Sequence, residues 1–188
     1  MLFICLASAY IKTESGKKEL DYLLNDIGTT GSDESITRLY HLTHHSVFTF
    51  ALSILKNHHD AEDVLQECFI TIHNSASSYK SQGNPMAWIL TLTKNLCLMK
   101  LRKRGKEDEA PEGWEDFIPA NESLSHEDKM VLEACLNLLT DEERQIVVLH
   151  AVSEMKHKNI ASLLGMPLST VLSKYARAIK KLRKAMEN

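Results

Sequence analysis

Between residues 105 and 128 the chain changes character abruptly, and nothing else in it limits the fold as strongly. That stretch carries nine acidic residues against the single Lys106, a charge of −8 that leaves +5 for the rest of a chain totalling −3. With Pro111, Gly113 and Pro119 and no helical periodicity, it reads as a flexible acidic linker. The expected division is an N-terminal extension over residues 1–34, a first domain over 35–104, the linker over 105–127 and a second domain over 128–188.

Both flanks carry helical periodicity. Leu42, Phe48, Ala51, Leu52 and Leu55 form one stripe, Val64, Leu65, Cys68, Phe69 and Ile72 a second, and Trp88, Ile89, Leu92, Leu96 and Met99 a third. Beyond the linker come Val131, Leu132, Cys135, Leu138 and Leu139, then Ile146, Val147, Leu149 and Val152. No segment alternates long enough for a strand, and 7 Gly and 4 Pro argue against a many-turned sandwich or barrel. The expectation is an all-α protein of two small helical domains.

Cys5, Cys68, Cys97 and Cys135 form no Cys-x-x-Cys pair, the usage of a reducing compartment with thiols acting as small core residues. The apolar run over residues 1–11 is shorter than the ~20 residues needed to span a bilayer, and it lacks the basic start of a secretory signal. It reads as a loose chain end, with a short packing helix as the alternative. Together these place the protein in the cytoplasm, without membrane insertion.

Residues 160–171 have the grammar of a helix-turn-helix. Ala161 is small enough for two helices to cross closely, and Gly165 suits the left-handed end of the first. Pro167 presets a new first turn, where Ser169 and Thr170 can satisfy open amides. The last helix then divides by chemistry. Val171, Tyr175, Ala178, Ile179, Leu182 and Met186 share one face, and Ser169, Thr170, Ser173, Lys174, Arg177, Lys180, Lys181 and Lys184 the other. From residue 167 onward there are six basic residues and one acid. Such a helix fits a DNA major groove, its first residues at base edges and its later cations on phosphates. A solvated basic face on a core helix is the blander possibility.

Four acids crowd around Asp60, Glu62, Asp63 and Glu67. On a helix, Asp63, Gln66 and Glu67 form a ridge opposite Val64, Leu65 and Phe69. It reads either as an acid-rich helix start favoured by the dipole or as a docking surface for a basic partner. Residues 94–106 carry the opposite field, with Lys94, Lys100, Arg102, Lys103, Arg104 and Lys106 and no acid. Tyr79, Lys80 and Trp88 precede it, around a loop marked by Asn84 and Pro85. Aromatic side chains beside cations suit unstacked single-stranded bases, at about 1–3 kcal/mol of stacking per base.

Taken together the chain resembles bacterial RNA polymerase sigma factors of the extracytoplasmic-function (ECF) type. The resemblance runs from about residue 39 to 184. It rests on Phe50-Ala-Leu, Asp60-Ala-Glu-Asp-Val-Leu-Gln-Glu, Pro85-Met-Ala-Trp88 and Lys94-Asn95-Leu, and then on Leu139-Thr-Asp-Glu-Glu-Arg144 and residues 160–177. It implies docking on core RNA polymerase through the β′ clamp helices by Asp60, Asp63, Gln66 and Glu67, with the β flap as a second contact. It implies −10 melting and capture of a flipped base by Tyr79, Lys80, Trp88, Leu92, Lys94, Asn95, Lys100, Arg102 and Lys103. It implies −35 duplex reading by Ser169, Thr170, Ser173, Lys174, Arg177, Lys180 and Lys181. An anti-sigma factor is a further implied partner; no cofactor, metal or catalytic residue is expected.

Three positions depart from the family. Leu172 stands where Lys or Arg is frequent, His157 where an aromatic is usual, and Met99 where an amide or small polar residue is common. The first two bear on the −35 contacts and the third on the −10 base preference. Two other classes share some of these features. A helix-turn-helix regulator that binds duplex alone would not need the acidic ridge or the aromatic and basic ensemble. A metalloenzyme is suggested by nine histidines, among them His41, His44, His45, His58 and His59, but no ligand spacing supports it.

Overall fold

The computed structural model describes residues 13–81, 83–104 and 137–186, and the described residues form seven α-helices and one 3-10 turn. The linker, the apolar start and the stripe at Val131, Leu132 and Cys135 lie outside them. Helix α1 (Glu14–Thr30) is capped by Thr13, whose Oγ1 accepts from the Gly16 amide at 2.9 Å. Helices α2 (Asp33–Leu55) and α3 (His58–Ser75) are capped likewise by Ser32 and Asn57. After the 3-10 turn Ala76–Ser78, α4 (Pro85–Arg104) starts on a proline, which has no amide to leave unpaired.

The three expected stripes turn toward the core except at Met99, which is exposed, and residues between them join it. Leu39, Val47, Phe50, Leu52, Ile72, Ile89 and Leu90 are buried, as are the thiols Cys68 and Cys97. Burial raises those thiols to about 11 and about 12, so both stay protonated and pack as small apolar groups. The helix α1 precedes residue 35, where the first domain was expected to begin, yet its Leu20, Leu24 and Ile27 enter the same core. It seats on the 3-10 turn through Gly28, where a Cβ would stand 2.6 Å from the Ala76 carbonyl oxygen. We expect Gly28→Ala to force backbone apart and cost about 1–3 kcal/mol, read by urea denaturation.

Helices α5 (Asp141–Ala151), α6 (His157–Leu164) and α7 (Leu168–Met186) form the C-terminal unit. A capping box starts α5: the Glu143 amide donates to Thr140 Oγ1 at 3.3 Å, and the Thr140 amide to Glu143 Oε2 at 3.0 Å. The turn of the helix-turn-helix closes as a Schellman motif. Gly165, at φ 69°, donates to Ser162 O, and Met166 donates to Ala161 O at 2.9 Å. On its far side the amides of Thr170 and Val171 bond the Pro167 carbonyl. Ser169 and Thr170 therefore sit within the first turn of α7, where the proline carbonyl serves the amides they were expected to satisfy.

Leu138, expected on a buried stripe, is exposed, while Leu139 is buried. His157 stacks on His150 at 4.3 Å and meets Tyr175 edge-on at 4.8 Å, so the histidine fills an aromatic slot. Burial, and then His150, hold its imidazole below the ordinary range.

The two helical units share apolar surface. Phe48, Leu52, Leu55 and Val64 belong to one cluster with Leu139, Val147 and Ala178, and α2 packs against α5 and α4 against α6. Lys56 Nζ pairs with Asp141 at 2.6 Å across this contact. The reason is simple: α2 and α5 each have more apolar surface than their own bundle covers, and burial is favourable at about 25 cal/mol per Å².

Candidate functional site: an acidic ridge, an aromatic pocket and a basic helix

Starting α3 at His58 puts Asp60 in the first turn and sends Asp63, Gln66 and Glu67 outward. Asp60 and Asp63 are engaged within the chain. Lys100 Nζ lies 2.9 Å from Asp60 and 2.7 Å from Asp63, and Arg104 Nη1 lies 3.2 Å from Asp60. Burial alone would lower the Lys100 ammonium; hydrogen bonds and charge from Asp63 and Asp60 outweigh it and hold the pKa above its ordinary value. Gln66 and Glu67 are exposed, with no hydrogen bond or ion pair among the described residues.

Beside them runs a groove of about 570 Å³ between α3 and α4, lined by Asp63, Gln66, Glu67, Ile70, Met99 and Lys103. Ile70 is 55 % exposed and Met99 62 %. Its α3 side is acidic, with Asp63 and Glu67, and its α4 side carries Lys100 and Lys103, so the exposed apolar floor between them suits a protein helix with apolar residues flanked by charges, basic ones toward α3. Ile70 was missed in the sequence, although it stands three residues after Glu67 on the same ridge. The arrangement also separates two groups expected to act together, because Lys100 and Lys103 line this groove and not the aromatic pocket.

That pocket lies at the other end of α4. Tyr79 and Trp88 meet edge-on at 5.2 Å. They line a cavity of about 570 Å³ with Lys80 and Asn84 on one side, and Asn159 and Leu163 of α6 on the other. Trp88 is half-buried and Lys80 exposed, so both can meet a ligand. Tyr79 is only 7 % exposed. Its hydroxyl donates to the Asp21 carboxylate, which also accepts from Ser81 at 2.9 Å. Burial, and then Asp21, push its phenol far above the ordinary range. Tyr79 thus props Trp88 and offers little face for stacking. Asp21 had no signal in the sequence, since it pairs across 58 residues.

Further along α4, Leu92 is half-buried and Asn95 and Arg102 are exposed. Lys94 is turned toward the C-terminal unit, its Nζ donating to the Leu163 carbonyl at 2.7 Å. That carbonyl lies in the last turn of α6, where a cation is favoured.

On α7 the described part of the apolar stripe turns inward, with Val171 and Ala178 fully buried and Tyr175, Ile179 and Leu182 half-buried. The polar side divides in two. Lys174 pairs with Glu142, and Lys181 with the buried Glu143 at 2.7 Å. These lysines flank the core and tie α7 to the start of α5. Ser169, Ser173, Arg177 and Lys180 remain exposed as one outward stripe, and Thr170 is half-buried. Burial would raise the Glu143 carboxyl, but Lys181 and the Thr140 amide outweigh it and hold it below the usual carboxylate range. Its folded pKa being depressed, its stabilisation is present above that range and is lost as pH falls through it. We expect Glu143→Gln to cost about 1 kcal/mol at neutral pH and to flatten the acid limb of a stability–pH curve.

Among the described residues, no three His, Cys, Asp or Glu side chains are grouped to hold a metal ion. No described helix is long and apolar enough to cross a membrane.

Comparison with known proteins bears on what these surfaces are. The Sigma-70 region 2 family matches residues 39–107, and the Sigma-70 region 4 family matches residues 129–182. The ECF RNA polymerase sigma factor SigE of Mycolicibacterium smegmatis is 34 % identical over 145 residues, 73 % of this chain and 56 % of that protein. The chain belongs to the ECF sigma factors. SigX of Bacillus subtilis, another ECF sigma factor, is 24 % identical over 82 % of this chain and 85 % of its own. Among solved structures, the sigma factor RpoE in complex with the anti-sigma factor NepR from Bartonella quintana has a TM-score of 0.69 at 23 % identity. It covers 82 % of this chain and 98 % of that one. CnrH, in complex with the cytosolic domain of CnrY, gives 0.61 at 18 %, covering 89 % and 97 %. Both are likenesses of fold. In this ECF chain the acidic ridge, the groove and the Tyr79, Lys80, Asn84 and Trp88 side of the aromatic pocket fall inside the region 2 match, while Asn159 and Leu163 of the pocket and the basic helix up to residue 182 fall inside region 4.

Proposed function

We propose that this chain is an alternative sigma factor that docks on core RNA polymerase and directs it to promoters. It opens the −10 element and starts transcription there, while bond-making stays with the polymerase. The reading is supported by two different surfaces on one chain that each suit nucleic acid: the Tyr79 and Trp88 aromatic pair on the region 2 unit and a helix-turn-helix on the region 4 unit. A duplex-binding regulator needs the second alone. The decisive experiment is run-off transcription with purified core polymerase. Specific initiation that requires both proteins supports the reading; promoter binding without core polymerase favours the regulator.

Roles follow from where the side chains stand. Gln66, Glu67, Asp63, Ile70 and Met99 meet the β′ clamp helices, and Asp60 holds the ridge in place through Lys100 and Arg104. Trp88, Lys80, Leu92 and Asn95 meet the unpaired −10 strand, with Tyr79 and Asp21 positioning Trp88. Lys94 and Arg102 take its phosphates, and Lys100 and Lys103 serve the polymerase groove first. Ser169, Ser173, Arg177 and Lys180 face the −35 duplex, with Thr170, Lys174 and Lys181 at its margin. The β flap is a further polymerase contact for the region 4 unit. An anti-sigma factor is a fitting partner, since RpoE, a chain of this fold, is bound to one. The site of action is the cytoplasm, where the polymerase works.

The ion pairs on α7 set an order among its cations. Arg177→Ala should lower the slope of log affinity against log salt for the −35 duplex by about 0.9, one phosphate's worth. Lys174→Ala should change that slope less and lower the stability of the C-terminal unit instead. Filter binding over a salt series and a thermal melt separate the two effects.

A further inference from the structure

The outer face of α7 is not uniformly polar. Leu168 is 44 % exposed and Leu172 46 %, four residues apart on one side of the helix and covered by no described element. They flank Ser169 and Ser173, so the first two turns present leucine and serine outward. The one cation there, Lys174, is tied to Glu142, and exposed cations begin only at Arg177. The helix thus has an uncharged, half-apolar leading end and a basic trailing end.

In a helix-turn-helix the leading end of the second helix lies against base edges, and the trailing cations reach phosphates. The floor of the major groove is lined with hydrogen-bond donors and acceptors; its only apolar group is the C5-methyl of thymine. A leucine pressed against guanine O6 and N7 would strip water from two acceptors and return nothing. Against a thymine methyl it loses no hydrogen bond and buries a methyl group.

We propose that Leu172, backed by Leu168, is a specificity-determining residue that reads a thymine methyl in the −35 duplex. This rests on α7 being the duplex-reading helix, as argued above. The element this chain selects therefore carries an A·T pair at the step facing Leu172, with no arginine–guanine contact there.

The test uses the full chain with core polymerase and a pool of promoters randomised through the −35 region. The expected result is one selected step held to A·T. Replacing thymine by deoxyuridine at that step should weaken binding about fourfold, the worth of one buried methyl. Leu172→Ala should bind the thymine and deoxyuridine duplexes alike, and Leu172→Arg should move the preference at that step to G·C. If deoxyuridine is neutral at every step, or weakens the Leu172→Ala protein equally, the inference falls while the sigma reading stands. If Leu172→Ala loses core polymerase in the absence of DNA, the leucine is a protein contact and the inference falls. If the pool yields no duplex element at all, the reading of α7 fails and takes this inference with it.

Discussion

Glu67→Lys is expected to abolish capture of core polymerase while leaving the helical signal of the chain unchanged. Glu67 is exposed on α3 and forms no ion pair among the described residues, so reversing it breaks nothing inside. It does place a cation on the rim of the groove holding Ile70 and Met99. Leaving a partner's charge unpaired at such a contact costs about 2–5 kcal/mol, a loss of about 30-fold or more. Asp63→Lys should weaken capture too, but it also frees Lys100 from one of two carboxylates. A pull-down with circular dichroism on the same samples distinguishes the two. Capture by Glu67→Lys at the original strength would remove the ridge from the docking surface.

Trp88→Ala is expected to slow promoter opening about 5- to 150-fold with little effect on polymerase capture. A base leaving the stack costs a few kcal/mol, and one aromatic platform returns about 1–3 kcal/mol of it. Trp88 is the half-buried ring at that pocket, held edge-on by Tyr79, whose hydroxyl is anchored on Asp21. Permanganate footprinting reads the opening. Tyr79→Phe keeps the prop and loses the anchor, so its effect should be smaller. A heteroduplex promoter already unpaired at the −10 element should restore most of the Trp88→Ala loss. If both variants open promoters at the original rate, the pocket has another occupant.

What was legible in the sequence was whatever short spacing encodes. The stripe of Val171, Tyr175 and Ala178 and the turn at Gly165 are each fixed by residues within a turn or two of one another. The ridge at Asp63, Gln66 and Glu67 is legible for the same reason. The fate of individual charges was not. Lys174 looks identical to Arg177 by spacing, and only the approach of α5 with Glu142 separates a tie from a reader. Lys100 looks like part of a basic tract until α3 brings Asp60 and Asp63 against it. Tyr79 looks like a stacking platform until α1, in a stretch expected to be an extension, supplies Asp21. Periodicity tells which way a side chain points along its own helix and nothing about who arrives opposite.

The contact between Lys94 and the Leu163 carbonyl sets a question of reach. Elements centred some 25 base pairs apart are separated by about 85 Å at about 3.4 Å per pair, whereas a packed chain of this length measures only about 40 Å across. Straddling a promoter therefore means undoing that clasp and letting the acidic linker, read in the sequence as residues 105–127, carry part of the distance. Fully drawn out, 23 residues cover about 80 Å. That reach and the widths of the two units span the promoter, so the cost lies in parting α4 from α6 and α2 from α5, and whatever binds the polymerase side first sets the timing.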